Sequence, residues 1–153
     1  MGFLEAKIPP PLVVLLLAGV MKAATALVPV LQPPGAARTG AAVLLAAVGL
    51  AVELAGGASL IRSKTTVDPT HPHGVCRFVS TGVYRLTRNP IYLGDLLLLL
   101  AWATYLWSPV AVALTPLFVI YIDRFQIKAE ERALEEIFGA KYVEYKNRVR
   151  RWV

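Results

Sequence analysis

The chain has 153 residues, short enough for a single domain, and 56% of them are hydrophobic while only 17% are charged. Soluble domains carry about 25% charged residues; here the apolar residues come in long runs, and nearly all the charge sits between Arg62 and Arg88 and after Ile122. The net charge of +6 is not the mark of a nucleic-acid binder, because no basic stripe is interleaved with aromatic residues for base stacking; Lys and Arg instead mark the cytoplasmic loops of a membrane protein.

In chain order, Lys7 and three prolines, Pro9, Pro10 and Pro11, precede the first apolar run. No small-residue cleavage site follows, so the start does not read as a cleaved signal. Residues 11–31 are long enough to cross a bilayer, which takes roughly 20 apolar residues. Lys22 lies inside this run and is costly at mid-membrane depth unless it faces other helices or snorkels. A turn at Gln32, Pro33, Pro34 and Gly35 leads to a second span, residues 39–61, rich in Ala, Gly, Leu and Val. Small residues allow close helix packing. Glu53 sits within it, and with Lys22 it is expected to make interior polar contacts that hold helices together; a substrate or proton role is the sharper alternative.

Residues 62–90 form a polar loop. It holds His71, His73 and Cys76, which lack the closed tetrahedral set of a zinc site; no metal is expected, and the segment reads as a loop contact or lid. Cys76 is the only cysteine, so no intrachain disulfide can form. Ser80 or Thr81 is positioned to cap a short helix. A third span covers residues 91–107, Ser108 and Pro109 make a tight break, and the fourth span covers 109–127 with a kink expected at Pro116. Its purely apolar part is only about 14 residues, roughly 21 Å of helix, so the helix is expected to continue past Asp123 out of the membrane. Gly139 fits a helix C-cap, and a last short helix follows. Trp102, Trp107 and Trp152 read as interfacial or packing aromatics. The positive residues crowd into the long loop and the C-terminal region, which places both on the cytoplasmic side, and four spans return the N-terminus there too. The expected fold is an all-α integral membrane bundle of about four transmembrane helices with a cytoplasmic helical extension, all one domain.

Two clusters can carry chemistry. In the first, Gly82, Tyr84, Arg85, Arg88, Asn89, Pro90, Tyr92 and Gly94 lead into the third span. Asn89 is a good N-cap and Pro90 suits the first helical position. The helix start, with its free N–H groups, favours an anion, and Arg88 and Tyr92 lie beside it. Interfacial anchoring explains the same residues by spacing alone. In the second cluster, Glu130 and Glu131 fall in or beside the apolar stripe of Ile127, Leu134, Ile137 and Phe138, whereas Lys128, Arg132, Glu135 and Glu136 fall mostly opposite. Carboxylates near a buried face need partners. Ribose hydroxyls or arginines would serve.

Together these clusters resemble the isoprenylcysteine carboxyl methyltransferase and phospholipid methyltransferase family. That family carries Arg-His-Pro-x-Tyr-x-Gly after Gly-x-Tyr, then, across one helical hairpin, a glutamate pair leading into Phe-Gly and spaced tyrosines. Gly82, Tyr84, Arg88, Pro90, Tyr92 and Gly94 match the first element; Glu130, Glu131, Leu134, Phe138, Gly139, Tyr142, Tyr145, Arg148 and Val149 match the second. The resemblance covers about residues 65–149. The family's histidine is Asn89 here, which can hydrogen-bond but cannot shuttle a proton at neutral pH.

The resemblance implies S-adenosylmethionine as methyl donor, although the chain has no Gly-x-Gly-x-x-Gly loop. It implies residues 62–90 and 128–153 as the cofactor-binding elements. Arg88 and Glu130 become candidate catalytic residues, and Tyr84, Arg88, Asn89, Pro90, Tyr92, Gly94, Glu130, Glu131, Tyr142 and Tyr145 candidate cofactor-binding residues. The acceptor is expected to be a lipid or other amphiphile at the cytoplasmic face of the cell inner membrane, with isoprenylcysteine-type carboxyl methylation or phospholipid N-methylation as the implied reactions. A membrane NADPH-dependent reductase and a non-catalytic membrane scaffold are the rival readings.

Overall fold

The computed structural model describes residues 8–26, 35–63 and 78–153. The end of the first apolar run, the turn at Gln32, Pro33 and Pro34, and the loop with His71, His73 and Cys76 lie outside the described residues. The described chain is helical: α1 (Pro10–Thr25), α2 (Gly35–Arg62), a short 3₁₀ turn (Gly82–Arg85), α3 (Pro90–Leu106), α4 (Pro109–Ile122), a π-helical segment (Asp123–Ile127), α5 (Lys128–Phe138) and α6 (Ala140–Arg148).

Proline sets three of these starts. Pro10, Pro90 and Pro109 occupy first helical positions, where the missing N–H has no intrahelical partner to lose. Ser108 caps α4 by accepting from the Ala111 N–H at 3.3 Å. The break before it is tight because Trp107 adopts a left-handed conformation, φ 51° and ψ 48°, which is uncommon for a bulky residue.

The helices are turned inside out relative to a water-soluble bundle. On α2 the buried residues are the small ones, Ala42, Gly49 and Gly56, while Val43, Leu44, Leu54 and Ile61 face outward. On α1 Leu15 and Leu16 are 69% and 60% exposed. Water would penalise such a surface by about 25 cal/mol per Å² of apolar area; a hydrocarbon surround does not. Two helices, Gly35–Arg62 and Pro109–Phe138, are long and apolar enough to span, and α1 and α3 are shorter apolar helices beside them. The fold is a helical membrane bundle.

Its tightest joint is α2 against α3. A Cβ added at Gly94 would meet the Glu53 Cβ at 2.6 Å and the Gly49 carbonyl oxygen at 2.8 Å; one at Gly49 would meet the Leu97 Cβ at 2.9 Å, and one at Gly56 the Pro90 ring at 3.0 Å. The three glycines therefore let two backbones touch. Opposite this joint, α1 and α4 complete the bundle around Met21, Leu99, Phe118 and Ile122. Trp102 Nε1 donates to the Ala18 carbonyl at 3.0 Å, so this tryptophan is a packing residue.

The ends of the bundle alternate. Gly56 meets Pro90, and Gln126 Nε2 donates to the Ile8 carbonyl at 2.7 Å, so the start of α1, the end of α2, the start of α3 and the end of α4 share one end. The Arg38 guanidinium lies 5.5 Å from the Tyr105 ring centroid at the other. Lys22 is exposed in the last turn of α1, from which it can snorkel, and no ion pair joins it to Glu53. The interior polar contact expected of Lys22 is therefore not made. Glu53 lies instead against Gly94, beside the buried Asp95.

The last long helix continues past Asp123, as its short apolar part required. It runs on through Pro116, and its hydrogen-bonding pattern changes later, at the π-helical Asp123–Ile127. Gly139, with φ 54° and ψ −130°, ends α5 and starts α6, a backbone geometry that suits glycine. Beyond α6 the chain extends back toward the start of α3, with the Arg88 N–H donating to the Arg150 carbonyl at 3.0 Å.

Candidate functional site

At the end of the bundle where α3 begins, polar groups from five elements converge. The 3₁₀ turn and the residues after it bring in Tyr84, Thr87, Arg88 and Asn89. The start of α3 contributes Tyr92, the π-helical segment and α5 contribute Asp123, Glu130 and Glu131, and α6 with the extended residues after it contributes Tyr142, Tyr145, Arg151 and Trp152.

Arg88 and Glu131, far apart in sequence, are joined. Arg88 Nη1 lies 3.1 Å from Glu131 Oε1, and both side chains are about 10% exposed. Arg88 Nε and Nη1 are buried and make no hydrogen bond, although a guanidinium is a five-donor group that is rarely left so. The Tyr92 hydroxyl donates to Glu130, which ties the start of α3 to α5. Burial holds the Glu130 carboxyl proton, raising its pKa to about 7; the Tyr92 hydrogen bond works against this rise and the Glu131 charge adds to it.

The tyrosines form a wall. Tyr145 donates to the Tyr84 carbonyl at 2.6 Å and packs edge-on to Phe78, with ring centroids 5.0 Å apart. Tyr142 lies in the same aromatic cluster with Phe138 and Leu134. Burial pushes the Tyr145 phenol up to about 12 and holds Tyr84 above its usual value. For Tyr142, burial and then the Glu131 charge raise the pKa against the pull of Arg88. All three phenols are therefore neutral hydrogen-bonding groups at physiological pH, not bases.

Asn89 stands at the N-cap of α3 but makes no capping bond. Its amide donates instead to the Arg151 carbonyl at 2.8 Å, and the Thr87 hydroxyl donates to the same carbonyl at 3.1 Å. The capping role expected for its side chain is overturned because the amide is drawn to that carbonyl. Pro90 and Gly94 lie at the α2–α3 joint, where packing accounts for both. The other sequence-chosen residues converge.

Thr87, Asp95, Asp123, Arg151 and Trp152 were not among the site residues expected from the sequence. Arg151 donates from Nε and Nη2 to the two oxygens of Glu131, at 3.1 and 2.7 Å, and from Nη1 to Asp123 at 2.9 Å. Trp152 Nε1 also donates to Asp123, at 3.2 Å. The glutamate hydrogen bonds raise the Arg151 pKa above the ordinary guanidinium value. In sequence Arg151 is one more positive charge near others, and only folding shows its partners. Asp95, 6% exposed on α3 and three residues after Tyr92, was likewise hidden inside an apolar run. An open groove of about 290 Å³ between α2 and α3, lined by Ala42, Ala46, Leu98, Ala101 and Trp102, lies away from this cluster. Among the described residues no group of three or more His, Cys, Asp or Glu side chains is arranged to hold a metal.

A membrane bundle with a buried arginine, a carboxyl pair and tyrosines gathered at one end defines a class: helical membrane proteins with a polar site at the bilayer boundary. Comparison with known families narrows it. The family described as phospholipid methyltransferase matches residues 37–141, well over half of the chain, including the first motif element and the second as far as Gly139. The chain belongs to that family. An uncharacterised protein of Haemophilus influenzae is 44% identical over 63 residues, covering 41% of this chain and all of that protein. A protein-S-isoprenylcysteine O-methyltransferase of Saccharomyces cerevisiae is 36% identical over 74 residues, covering 46% of this chain and 30% of the enzyme. A probable protein-S-isoprenylcysteine O-methyltransferase of Oryza sativa is 35% identical over 103 residues, covering 65% of this chain and 50% of that protein. The chain thus spans half or less of the length of the named methyltransferases it matches. No solved structure matches it significantly.

Proposed function

We propose that this chain transfers a methyl group from S-adenosylmethionine to a lipid or other amphiphilic acceptor that reaches the site from the bilayer. The observation that carries the reading is Arg88: a buried guanidinium that pairs with Glu131 through Nη1 and leaves Nε without a hydrogen bond, held between the two motif elements that mark the family. Such a group suits a carboxylate, and the donor's amino-acid end has one.

The remaining groups fit the other parts of the donor. Glu130, tied to Tyr92, has acceptor capacity left for ribose hydroxyls or the donor ammonium. Glu131 is committed to two arginines, so its part is to hold Arg88. Tyr142 and Tyr84 wall the site with neutral, polarizable rings suited to a sulfonium. The donor supplies an electrophilic methyl group. The residues here bind and orient it and exclude water, which can furnish much of the rate of an in-line displacement. No group in the cluster is needed as a strong base if the acceptor arrives as a carboxylate or thiolate; Asn89 cannot act as one. Residues 62–90 and 128–153 form the donor-binding elements of a single domain. The site end faces the cytoplasm of the inner membrane, as the crowding of Lys and Arg at that end supports.

The test is methyl incorporation. Purified protein in detergent, given methyl-labelled S-adenosylmethionine with prenylated cysteine or with phospholipid, should label one of them. Base-labile, volatile label identifies a carboxyl ester; base-stable label identifies nitrogen or sulfur. No incorporation into either class above an Arg88→Ala control contradicts the proposal.

A further inference from the structure

We infer that Arg151 is a positioning residue: it sets the geometry of the donor site by gripping both motif elements at once. This rests on the methyltransferase reading above and extends it to a residue outside both motif elements.

The side chain and the main chain of this one residue point to different halves of the site. The guanidinium holds Glu131 in a two-pronged contact, at 3.1 and 2.7 Å, and its third nitrogen reaches Asp123 at 2.9 Å. The carbonyl accepts from Asn89 at 2.8 Å and from Thr87 at 3.1 Å. Thr87 and Asn89 flank Arg88 directly, and the Arg88 N–H is held by the neighbouring Arg150 carbonyl at 3.0 Å. The backbone around Arg88 and the carboxylate that faces its side chain are therefore fixed by the same short stretch of chain.

A two-pronged guanidinium–carboxylate contact fixes orientation as well as distance. Without it, Glu131 can turn from Arg88 Nη1 toward Nε as well, and the Nε that makes no hydrogen bond is no longer presented to a ligand. Lysine keeps the charge at position 151 but lacks the planar fork. The requirement is for shape more than for charge.

The experiment measures S-adenosylmethionine affinity by calorimetry on the full chain in detergent. It compares wild type, Arg151→Lys, Arg151→Met, Glu131→Gln and the double variant Arg151→Lys with Glu131→Gln. Arg151→Lys and Arg151→Met should each weaken binding about tenfold, and the double variant should bind no worse than Glu131→Gln alone, because Arg151 acts through Glu131. A purely structural role would lower the unfolding temperature without this coupling. If Arg151→Met fails to run as a single species on gel filtration, the Lys variant and the double variant carry the test. Wild-type affinity in Arg151→Lys, or losses that multiply in the double variant, overturn the inference. Absence of binding by wild type overturns the functional reading itself and this inference with it.

Discussion

Glu130 is the side chain with the clearest dependence on its surroundings. Its carboxyl loses a proton near 4.5 when exposed and near 7 in the fold. Between these values the folded state holds the proton and the unfolded state does not, so this group's contribution to stability declines as pH rises through that window and is level above it. We expect wild type to lose thermal stability relative to Glu130→Gln between pH 4.5 and 7 in detergent; parallel curves would contradict the assignment of that pKa. Tyr92→Phe removes the one hydrogen bond that favours the ionised form, so it should shift the midpoint upward. At this scale much of the site was legible. Glu130 and Glu131 were marked by periodicity, because carboxylates in or beside a buried stripe need partners, whereas Arg88 and the tyrosines were marked by the family resemblance, spacing alone being explained as well by interfacial anchoring. Arg151 and Asp123 were not legible, since each reads as ordinary boundary charge until the chain folds back on itself. Asn89 was half legible: its backbone takes the N-cap position, while its side chain follows a carbonyl some sixty residues away that no local rule could supply.

Among the helices, the α2–α3 joint places the site. Pro90, at the start of α3, lies against Gly56, and Gly94, one turn further on, lies against Gly49 and Glu53; Arg88 and Tyr92 take their positions from this contact. Gly94→Ala puts a methyl group into the Gly49 and Glu53 backbones. Overpacking costs about 1–3 kcal/mol, and backbone on both sides leaves little to yield, so we expect loss of monodisperse protein or a marked fall in unfolding temperature. Gly40→Ala, with nothing within 4 Å, should be neutral or stabilise by about 0.5–1 kcal/mol. Equal behaviour of the two variants on gel filtration and thermal melting would mean the helices do not meet there. Helix starts were readable because proline marks them, and the α5 end because only glycine suits its geometry. The π-helical Asp123–Ile127 was not, because a change from one hydrogen-bond register to the next needs no special residue.

For the whole molecule, four helices alternate between the two ends of a bundle whose apolar side chains point outward, and the basic residues gather at the site end. A reporter fused at Arg38 should therefore read the side opposite to one fused at Val153; same-side signals would contradict the arrangement. Membership in the phospholipid methyltransferase family supports the chemistry proposed for this end of the bundle, and that proposal stands on the convergence of two separated motifs on one donor. S-adenosylmethionine titration of the detergent-solubilised chain tests that convergence most directly, with Arg88→Ala, Glu131→Gln and the exposed-site control Lys128→Ala alongside wild type. Arg88→Ala removes a charge-assisted contact worth roughly 1.5–3 kcal/mol, and about 1.4 kcal/mol is tenfold in affinity. We expect Arg88→Ala and Glu131→Gln each to bind about tenfold more weakly or worse, with Lys128→Ala unchanged. Equal affinity in all four proteins would show that the two motifs do not build one donor pocket.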